Sequence, residues 1–221
     1  MQQQTKKNDT EVSPAVVNRL PRYYRCLREL LNNDVLRISS NGLAELMNTT
    51  ASQIRQDFNC FGGFGQQGYG YNVKYLYTRL SNILGVNDNY TAVMIGAGDL
   101  TRALVSDPVF AKRGVILKAV FGTNPADTGA EIYGYTVKCV TELKDFCLEN
   151  KIDIAVITAE GSYMSTLHEC GLRGVWNYTN TEIDLKQYGI AVQNIYIGDT
   201  LMMLCYEIKQ KDELQNGIVE D

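Results

Sequence analysis

The sequence has few of the residues on which metal binding and acid–base catalysis usually depend. Among 221 residues there is one histidine, His168. The cysteines form no CxxC pair, and this spacing argues against a zinc site or a redox-active dithiol. We therefore predict neither a metal site nor a catalytic residue. The six cysteines, predicted to be reduced thiols, are Cys26, Cys60, Cys139, Cys147, Cys170 and Cys205.

Long apolar runs are also missing. No stretch approaches the roughly 20 apolar residues that span a bilayer, and the polar start of the chain, MQQQTKKNDTEV, lacks the apolar core of a signal peptide. We therefore expect no membrane partner and a cytoplasmic location.

Charge is divided unevenly along the chain. Residues 1–85 contain 10 Lys+Arg and 6 Asp+Glu, whereas residues 86–221 contain 11 and 19, so the balances are +4 and −8. A basic front segment on an acidic body indicates an N-terminal module that meets a polyanion. Four arginines recur every third residue from Arg19 to Arg28, a pattern that fits either a solvated helix face or phosphate contacts.

Residues 14–85 have the pattern of a winged helix, after a polar segment, 1–13, that we predict to be disordered. A first helix starts at Pro14, and Pro21 should kink or restart it. Ser40 can cap a second helix, and the sequence TASQ (50–53) fits a capping box that opens a third. Two short helices joined by a tight turn match a helix-turn-helix, and FGGFGQQGYGYNV (61–73) predicts a hairpin wing.

The third helix is the predicted recognition helix. Arg55 is suited to bidentate contact with guanine or phosphate, while Gln53 and Gln56 are suited to adenine or water-mediated contacts. The residues expected to contact double-stranded DNA are Thr50, Ser52, Gln53, Arg55, Gln56, Gln66, Gln67 and Tyr69.

Residues 86–198 alternate apolar strands with helices, which predicts a Rossmann-type doubly wound parallel sheet. Strands are expected at 92–95, 115–121, 152–158, 175–178 and 190–195, with a helix over 164–172. Residues 199–221 are expected to form a dimerisation helix and tail, because TLMMLCYEI (200–208) is apolar on most of its circumference.

The first strand of this domain leads into a glycine turn and a helix, TAVMIGAGDLTRAL (91–104), which suits a pyrophosphate. The expected cofactor-binding residues are Gly96, Ala97, Gly98, Asp99, Leu100 and Thr101. The fingerprint Gly-x-Gly-x-x-Gly/Ala is eroded, however, because Thr101 fills its third position and should push the helix away from the strand.

Two further features weaken the predicted nucleotide site. Asp99 and Glu160 add negative charge near the expected pyrophosphate. The acidic residue that should hold the ribose at the end of the second strand is replaced by Gly122, for which Asn124 is a weak substitute.

Several segments together resemble the Rex family of redox-sensing transcriptional repressors. They are RLPRYYRCLREL (19–30), SSNGLAELMNTTASQIRQDF (39–58), FGGFGQQGYGYNV (61–73), IGAGDLTRAL (95–104), GVWNYT (174–179) and IAVQNI (190–195). The resemblance implies a homodimer with an exchanged C-terminal helix, which binds an inverted-repeat operator, is released by NADH and binds DNA with NAD+. Gln56, Gln66 and Gln67 stand where that family commonly has basic residues.

We expect weak or absent binding of NAD(H) because of the eroded fingerprint. Three alternatives remain: a fully NAD(H)-responsive repressor, a sensor of another nucleotide-like ligand such as an acyl-CoA, and an NAD-dependent oxidoreductase. The last lacks an apparent proton donor and leaves residues 14–85 unexplained.

Overall fold

The computed structural model describes residues 12–62, 65–66, 69–108 and 110–216, and it divides the chain into two compact units, residues 1–88 and 89–221. The predicted disordered segment 1–13 lies outside the described residues except for Val12 and Ser13. Within the described ranges, no helix is both long and apolar enough to cross a membrane.

The first unit begins with a long helix, α1 (Pro14–Asn32). Its buried side chains recur at three- and four-residue spacing, from Val16 to Leu27. The helix does not restart at Pro21 but continues through it, so that part of the prediction was wrong; the predicted kink stays a prediction. Proline costs one backbone hydrogen bond there, and burial of Leu20 and Tyr23 on either side offsets that cost.

The predicted helix-turn-helix is α2 (Ser40–Met47) followed by α3 (Ala51–Asn59). Ser39, rather than the predicted Ser40, caps α2, since its hydroxyl accepts a hydrogen bond from the Gly42 backbone N–H at 3.0 Å. Asn48 ends α2 in the left-handed region, with φ of 48°. Thr50 then caps α3 by accepting a hydrogen bond from the Gln53 backbone N–H at 3.1 Å.

A small antiparallel sheet and a fourth helix complete the first unit. Strands β1 (Arg37–Ile38), β2 (Gly65–Gln66) and β3 (Gly70–Asn72) lie in the order β1-β3-β2, and β2 and β3 pair antiparallel as the predicted wing requires. Residues 63–64 and 67–68 of the predicted wing lie outside the described residues. Helix α4 (Val73–Ile83) follows directly and packs on α1.

The second unit is built on the predicted parallel sheet. Its strands are β4 (Tyr90–Ile95), β5 (Val115–Gly122), β6 (Glu131–Ile132), β7 (Tyr135–Cys139), β8 (Ile154–Ile157), β9 (Gly174–Asn177) and β10 (Ala191–Asn194). Their spatial order is β10-β9-β8-β4-β5-β7-β6, and only the β6–β7 pair is antiparallel. The chain reverses direction across the sheet at β4, which makes the β4–β8 edge the topological switch point. The fold class is therefore confirmed.

Two predicted details of this unit were wrong. Strands β6 and β7 were not foreseen, and the helix expected over 164–172 is a 3₁₀ segment, Ser162–Glu169. The α-helices of the described part of this unit are α5 (Asp99–Ser106), α6 (Leu143–Asn150) and α7 (Ile197–Asn216).

Helix α7 exposes an apolar surface along most of its length in the single chain. Eight of its large apolar side chains are each more than half exposed: Ile197, Leu201, Met202, Met203, Leu204, Tyr206, Ile208 and Leu214. Water is a poor environment for so much contiguous apolar surface.

A buried carboxylate joins α3 to α1. Asp57 is 1% exposed and accepts four hydrogen bonds: two from the Arg19 guanidinium at 2.7 Å, one from the Tyr23 hydroxyl at 2.7 Å and one from the Gln53 amide at 2.8 Å. Burial raises the pKa of Asp57, but the hydrogen bonds from Arg19, Tyr23 and Gln53 outweigh burial and lower it. The ionised carboxylate therefore fixes the recognition helix against α1.

We predict that Asp57→Ala lowers the free energy of unfolding of the first unit by about 3 kcal/mol, the low end for loss of one buried ion-pair partner, because the Arg19 side chain is 35% exposed. Urea unfolding followed by far-UV circular dichroism measures this change. Glu45→Ala, on the exposed side of α2, is the matched control. The urea midpoint of the second unit, followed by the fluorescence of Trp176, should not change.

The same variant has a signed pH dependence. Since the pKa of Asp57 is lowered in the folded state, its stabilising effect is complete above the pKa of a free aspartate, about 4, and is lost as the pH falls through the folded value. The stability difference between wild type and Asp57→Ala should shrink below about pH 4. An equal difference at neutral and strongly acid pH would contradict this role.

Candidate DNA interface and nucleotide site

The N-cap and the exposed side of α3 carry four of the eight predicted DNA-contacting residues. Thr50, Ser52, Arg55 and Gln56 are exposed. The Arg55 guanidinium donates a hydrogen bond to the Ser40 hydroxyl at 2.9 Å, a contact that holds it beside the start of α2. An arginine held by one weak neutral partner keeps most of its donors for a base or a phosphate.

Gln53 is placed differently from its predicted neighbours. It is half-buried, and its side-chain nitrogen donates to Asp57. The Thr50 hydroxyl caps the Gln53 backbone N–H, which is the first half of the predicted capping box. Reading adenine uses the same nitrogen as a donor together with the amide oxygen as an acceptor, and the amide has a second N–H for this purpose. The bond to Asp57 therefore limits the orientation of the Gln53 amide without excluding contact with a base.

The wing is held by its glycine and by Arg37. Gly70 has φ of +69°, and a Cβ there would lie 2.8 Å from the Ile38 carbonyl oxygen, so a side chain is excluded where β3 crosses β1. The Tyr69 carbonyl accepts a hydrogen bond from Arg37 at 3.2 Å, while the Tyr69 ring is 72% exposed. Gln67 and the Gln66 side chain lie outside the described residues.

Two of the four regularly spaced arginines on α1 have structural partners. Arg19 binds Asp57, and Arg22 donates to the Met47 carbonyl at the end of α2. Arg25 is exposed and Arg28 is half-buried. Half of the pattern therefore has a role that neither alternative included, since Arg19 and Arg22 hold the fold. Arg25 is exposed to solvent, and its contact with phosphate stays a prediction.

The predicted nucleotide site lies at the switch point of the second unit. Gly96 follows β4 with φ of +124°, and a Cβ there would lie 2.2 Å from Thr158 Oγ1, at the end of β8. A Cβ on Gly98, at the start of α5, would meet nothing within 4 Å beyond its own chain neighbours. The first glycine therefore lets two strand ends meet, and the second leaves open space before the helix N-terminus.

Thr101 does not separate helix from strand, contrary to the expectation from sequence. Its side chain is fully buried, and its hydroxyl donates to the Gly96 carbonyl at 3.0 Å and lies 2.6 Å from Thr158 Oγ1. The Thr158 hydroxyl also donates to the Ile95 carbonyl at 3.1 Å. The polar group of Thr101 is satisfied in place, so it ties α5 to the ends of β4 and β8.

The acidic residues at this edge have different surroundings. Asp99 is exposed in the first turn of α5, where its charge favours the helix and disfavours a bound phosphate. Glu160 accepts a hydrogen bond from the Thr181 hydroxyl at 2.7 Å. Thr181 lies in the loop after β9, so this contact leaves only the second Glu160 oxygen for other partners.

The single histidine and the cysteines, the remaining candidates for catalysis or metal binding, have other surroundings. His168 stacks on Tyr188, with ring centroids 4.3 Å apart, and lies 3.8 Å from Glu169. The six cysteines are free thiols. No group of three or more His, Cys, Asp and Glu side chains that could hold a metal ion occurs in the described part of the chain.

Two family models match the chain. Residues 11–59 match the family described as "Putative DNA-binding protein N-terminus", and residues 87–181 match the family described as "CoA binding domain". The first match covers the helix-turn-helix, and the second covers the sheet from β4 to β9.

Two relatives that match most of the chain carry the same description. The proteins named redox-sensing transcriptional repressor Rex from Clostridium perfringens (strain SM101) and Caldicellulosiruptor saccharolyticus are each 43% identical, over 91% and 93% of this chain and 96% and 94% of their own lengths. Crystal structures of the Rex-family repressor RSP are similar too. The complex with beta-NAD+ and operator DNA has a TM-score of 0.85 at 42% identity, over 94% of this chain and 97% of that one. The complex with beta-NADH has a TM-score of 0.83 at 39% identity, over 95% and 100%.

Alanine substitution of the two fingerprint glycines should have different effects on stability. Gly96→Ala should lower the free energy of unfolding of the second unit by about 2 kcal/mol or more, because its methyl group meets Thr158 and its φ is strained. Gly98→Ala should stay within about 0.5 kcal/mol of wild type, because its φ of −78° suits alanine and the space is open. Urea unfolding monitored by Trp176 fluorescence measures both, and equal destabilisation would contradict the assignment.

Proposed function

The chain belongs to the Rex family of redox-sensing transcriptional repressors, and from that premise we propose that it represses transcription as a homodimer bound to an inverted-repeat operator. The observation that carries the proposal is the exposed face of α3, where Ser52, Arg55 and Gln56 lie side by side on a helix locked to α1. We also propose a cytoplasmic location, since operator binding requires the compartment of the chromosome. No residue is proposed to have a catalytic role.

DNA recognition by α3 follows from the chemistry of its exposed side chains. Arg55 offers a planar pair of donors that matches the two major-groove acceptors of guanine, and Ser52 and Gln56 can reach a base or a phosphate. The exposed Tyr69 of the wing adds an apolar ring and a hydroxyl next to the sheet edge. Gln53 contributes by holding Asp57 and thereby the orientation of α3.

Arg55→Ala should weaken binding to the preferred operator by about 1–3 kcal/mol and relax discrimination at one base position. Arg55→Lys should lose the discrimination but keep part of the affinity, because lysine retains the charge without the planar fork. Fluorescence anisotropy on operator and random duplexes measures both variants. Lys74→Ala, which removes one exposed charge from α4, is the control.

Two outcomes would contradict this role of Arg55. Equal weakening of Arg55→Ala on operator and random duplexes would make the residue a phosphate contact. No binding of the wild-type protein to any duplex at low salt would overturn the repressor proposal itself.

Homodimer formation is supported by the apolar surface of α7. A second copy of the chain can cover this surface by two-fold symmetry, and a two-fold dimer requires half-sites spaced by whole helical turns of DNA. Each subunit would then present one α3 to a major groove.

Replacing Leu201 and Leu204 together by glutamate should convert the dimer to monomer at micromolar concentration, because burying two carboxylates in an apolar interface costs several kcal/mol. Analytical ultracentrifugation measures the change, and operator binding should weaken with it. Lys211→Glu, at a polar position of the same helix, should remain dimeric. A monomeric wild type would contradict the proposal.

The second unit is proposed to bind NAD(H) weakly. Gly96 and Gly98 form the turn and leave room before α5, which supports binding of a pyrophosphate. Asp99 opposes it, since its charge lies in the first turn of the same helix. The strand β5 ends in Gly122 and therefore offers no carboxylate of its own to the ribose.

Isothermal titration should give a dissociation constant for NADH weaker than about 10 μM, which corresponds to about 7 kcal/mol. Asp99→Asn should tighten it by about tenfold, or about 1.4 kcal/mol, because it removes the charge opposed to the phosphate. NADH at saturating concentration should release operator DNA only partly. A dissociation constant below about 10 μM, together with full release, would contradict weak binding.

A second ligand class has one observation in its favour. The match of residues 87–181 to a CoA-binding family allows a coenzyme A thioester to bind at the same edge. A thermal-shift panel separates the two, since a ligand at 100 times its dissociation constant adds about 2.7 kcal/mol to stability. A shift with acetyl-CoA and none with NADH would favour the second class.

A further inference from the structure

The end of β5 has no room for a side chain. A Cβ on Gly122 would lie 2.9 Å from the Cβ of Asp127 and 3.0 Å from a methyl carbon of Val137. Both neighbours are carbon atoms close to the backbone, so neither can swing away as the tip of a long side chain would. Gly122 is therefore fixed as glycine by the position of Asp127.

Asp127 is held at this place by its own turn. It ends the 3₁₀ segment Pro125–Asp127, in which the Asn124 side chain accepts a hydrogen bond from the Ala126 N–H at 3.0 Å. The Asp127 N–H donates to the Asn124 carbonyl at 3.0 Å, and the Asp127 carbonyl accepts from Ala130 at 3.1 Å. The backbone of Asp127 is thus bonded on both sides.

The Asp127 carboxylate is available to a ligand. Its residue is half-buried, and the carboxylate has no hydrogen-bond or ion-pair partner within the described part of the chain. Its Cβ lies next to the point from which a side chain at 122 would start, at the carboxyl end of β5. In a doubly wound sheet, the acidic residue that binds the ribose hydroxyls of NAD belongs at that end of the second strand.

We propose that Asp127 supplies the carboxylate for the adenosine ribose of a bound dinucleotide and selects NAD(H) against NADP(H). This inference rests on the proposed binding of NAD(H) by the second unit. The absence of an acid at Gly122 and the position of Asp127 are linked, because a Cβ at 122 would lie 2.9 Å from the Asp127 Cβ and one of the two residues would have to shift. The acidic function is moved five residues along the chain, so binding is weakened by Asp99 without being abolished by Gly122.

A carboxylate beside the ribose should affect the affinities for NADH and NADPH in opposite directions. An ionised carboxylate accepts hydrogen bonds from the 2′- and 3′-hydroxyls of NAD(H), whereas the 2′-phosphate of NADP(H) brings like charges together. Neutralising the carboxylate should therefore weaken the binding of NADH and strengthen the binding of NADPH. A residue with a purely structural role would change both affinities in the same direction.

The test is isothermal titration of the full-length wild type and Asp127→Asn with NADH and with NADPH. Asp127→Asn keeps the volume of the side chain and should raise the NADH dissociation constant by about 10-fold or more, as expected for loss of a charged hydrogen bond. The NADPH dissociation constant should fall, so the ratio between the two should change by about 100-fold. Glu149→Gln, an exposed acid in the last turn of α6, is the charge-matched control and should leave both constants unchanged.

A second variant moves the acid back to the strand. The exchange Gly122→Asp with Asp127→Gly removes the clashing Cβ and leaves only the 3.0 Å approach of Val137, so it should bind NADH better than Asp127→Asn does. Gly122→Asp alone should lose stability, as measured by Trp176 fluorescence, because both Cβ atoms are then present.

The outcomes separate this inference from the proposed function. The role of Asp127 is overturned if wild type and Asp127→Asn bind NADH equally, or if the substitution weakens the binding of NADH and of NADPH together. In both cases the proposal of weak NAD(H) binding stands. If the wild type binds neither dinucleotide at millimolar concentration, both the NAD(H) proposal and this inference are overturned.

Discussion

The first unit depends on one buried charge, the carboxylate of Asp57. It accepts four hydrogen bonds, three groups donate them, and two of those groups lie on α1 while Gln53 lies on α3 itself. A buried carboxylate is costly unless it is fully bonded, so this network is strong only in one orientation of the two helices. The exposed edge of α3, with Arg55, is therefore presented in a fixed direction. A surface that is already ordered in this way loses little entropy when it binds DNA.

In the second unit, buried hydrogen bonds between neutral groups likewise fix a helix against its neighbours. Gly96 allows the ends of β4 and β8 to approach, and the hydroxyls of Thr101 and Thr158 fill the space between them with hydrogen bonds. An alanine at 101 would pack there without those bonds. The threonine is thus a tie between helix and strand, and the fingerprint is altered at this position without loss of its close packing.

Sequence patterns predicted what depends on local periodicity and capping. They located α1, the helix-turn-helix, the wing and the parallel strands, because each has an apolar repeat or a turn signal of its own. They missed β7, whose five residues, YTVKC, carry only one fully buried side chain. They also missed the bond from Arg19 to Asp57, which spans 38 residues, and the position of Asp127 beside Gly122, because each requires knowledge of which distant atoms meet.

The weak binding that we propose for the nucleotide site would have its cause within the helix that faces the phosphate. Gly98 offers no side chain to cap α5, and Asp99 in the first turn supplies the negative charge that the helix N-terminus favours. A pyrophosphate would bring the same kind of charge to the same end, so Asp99 and the ligand compete for one electrostatic role. The unliganded helix is already stabilised, which lowers the gain on binding. In the role proposed for it, Asp127 would contribute at the other end of the nucleotide, where a carboxylate attracts hydroxyls. The two acids would then act in opposite senses on the same ligand.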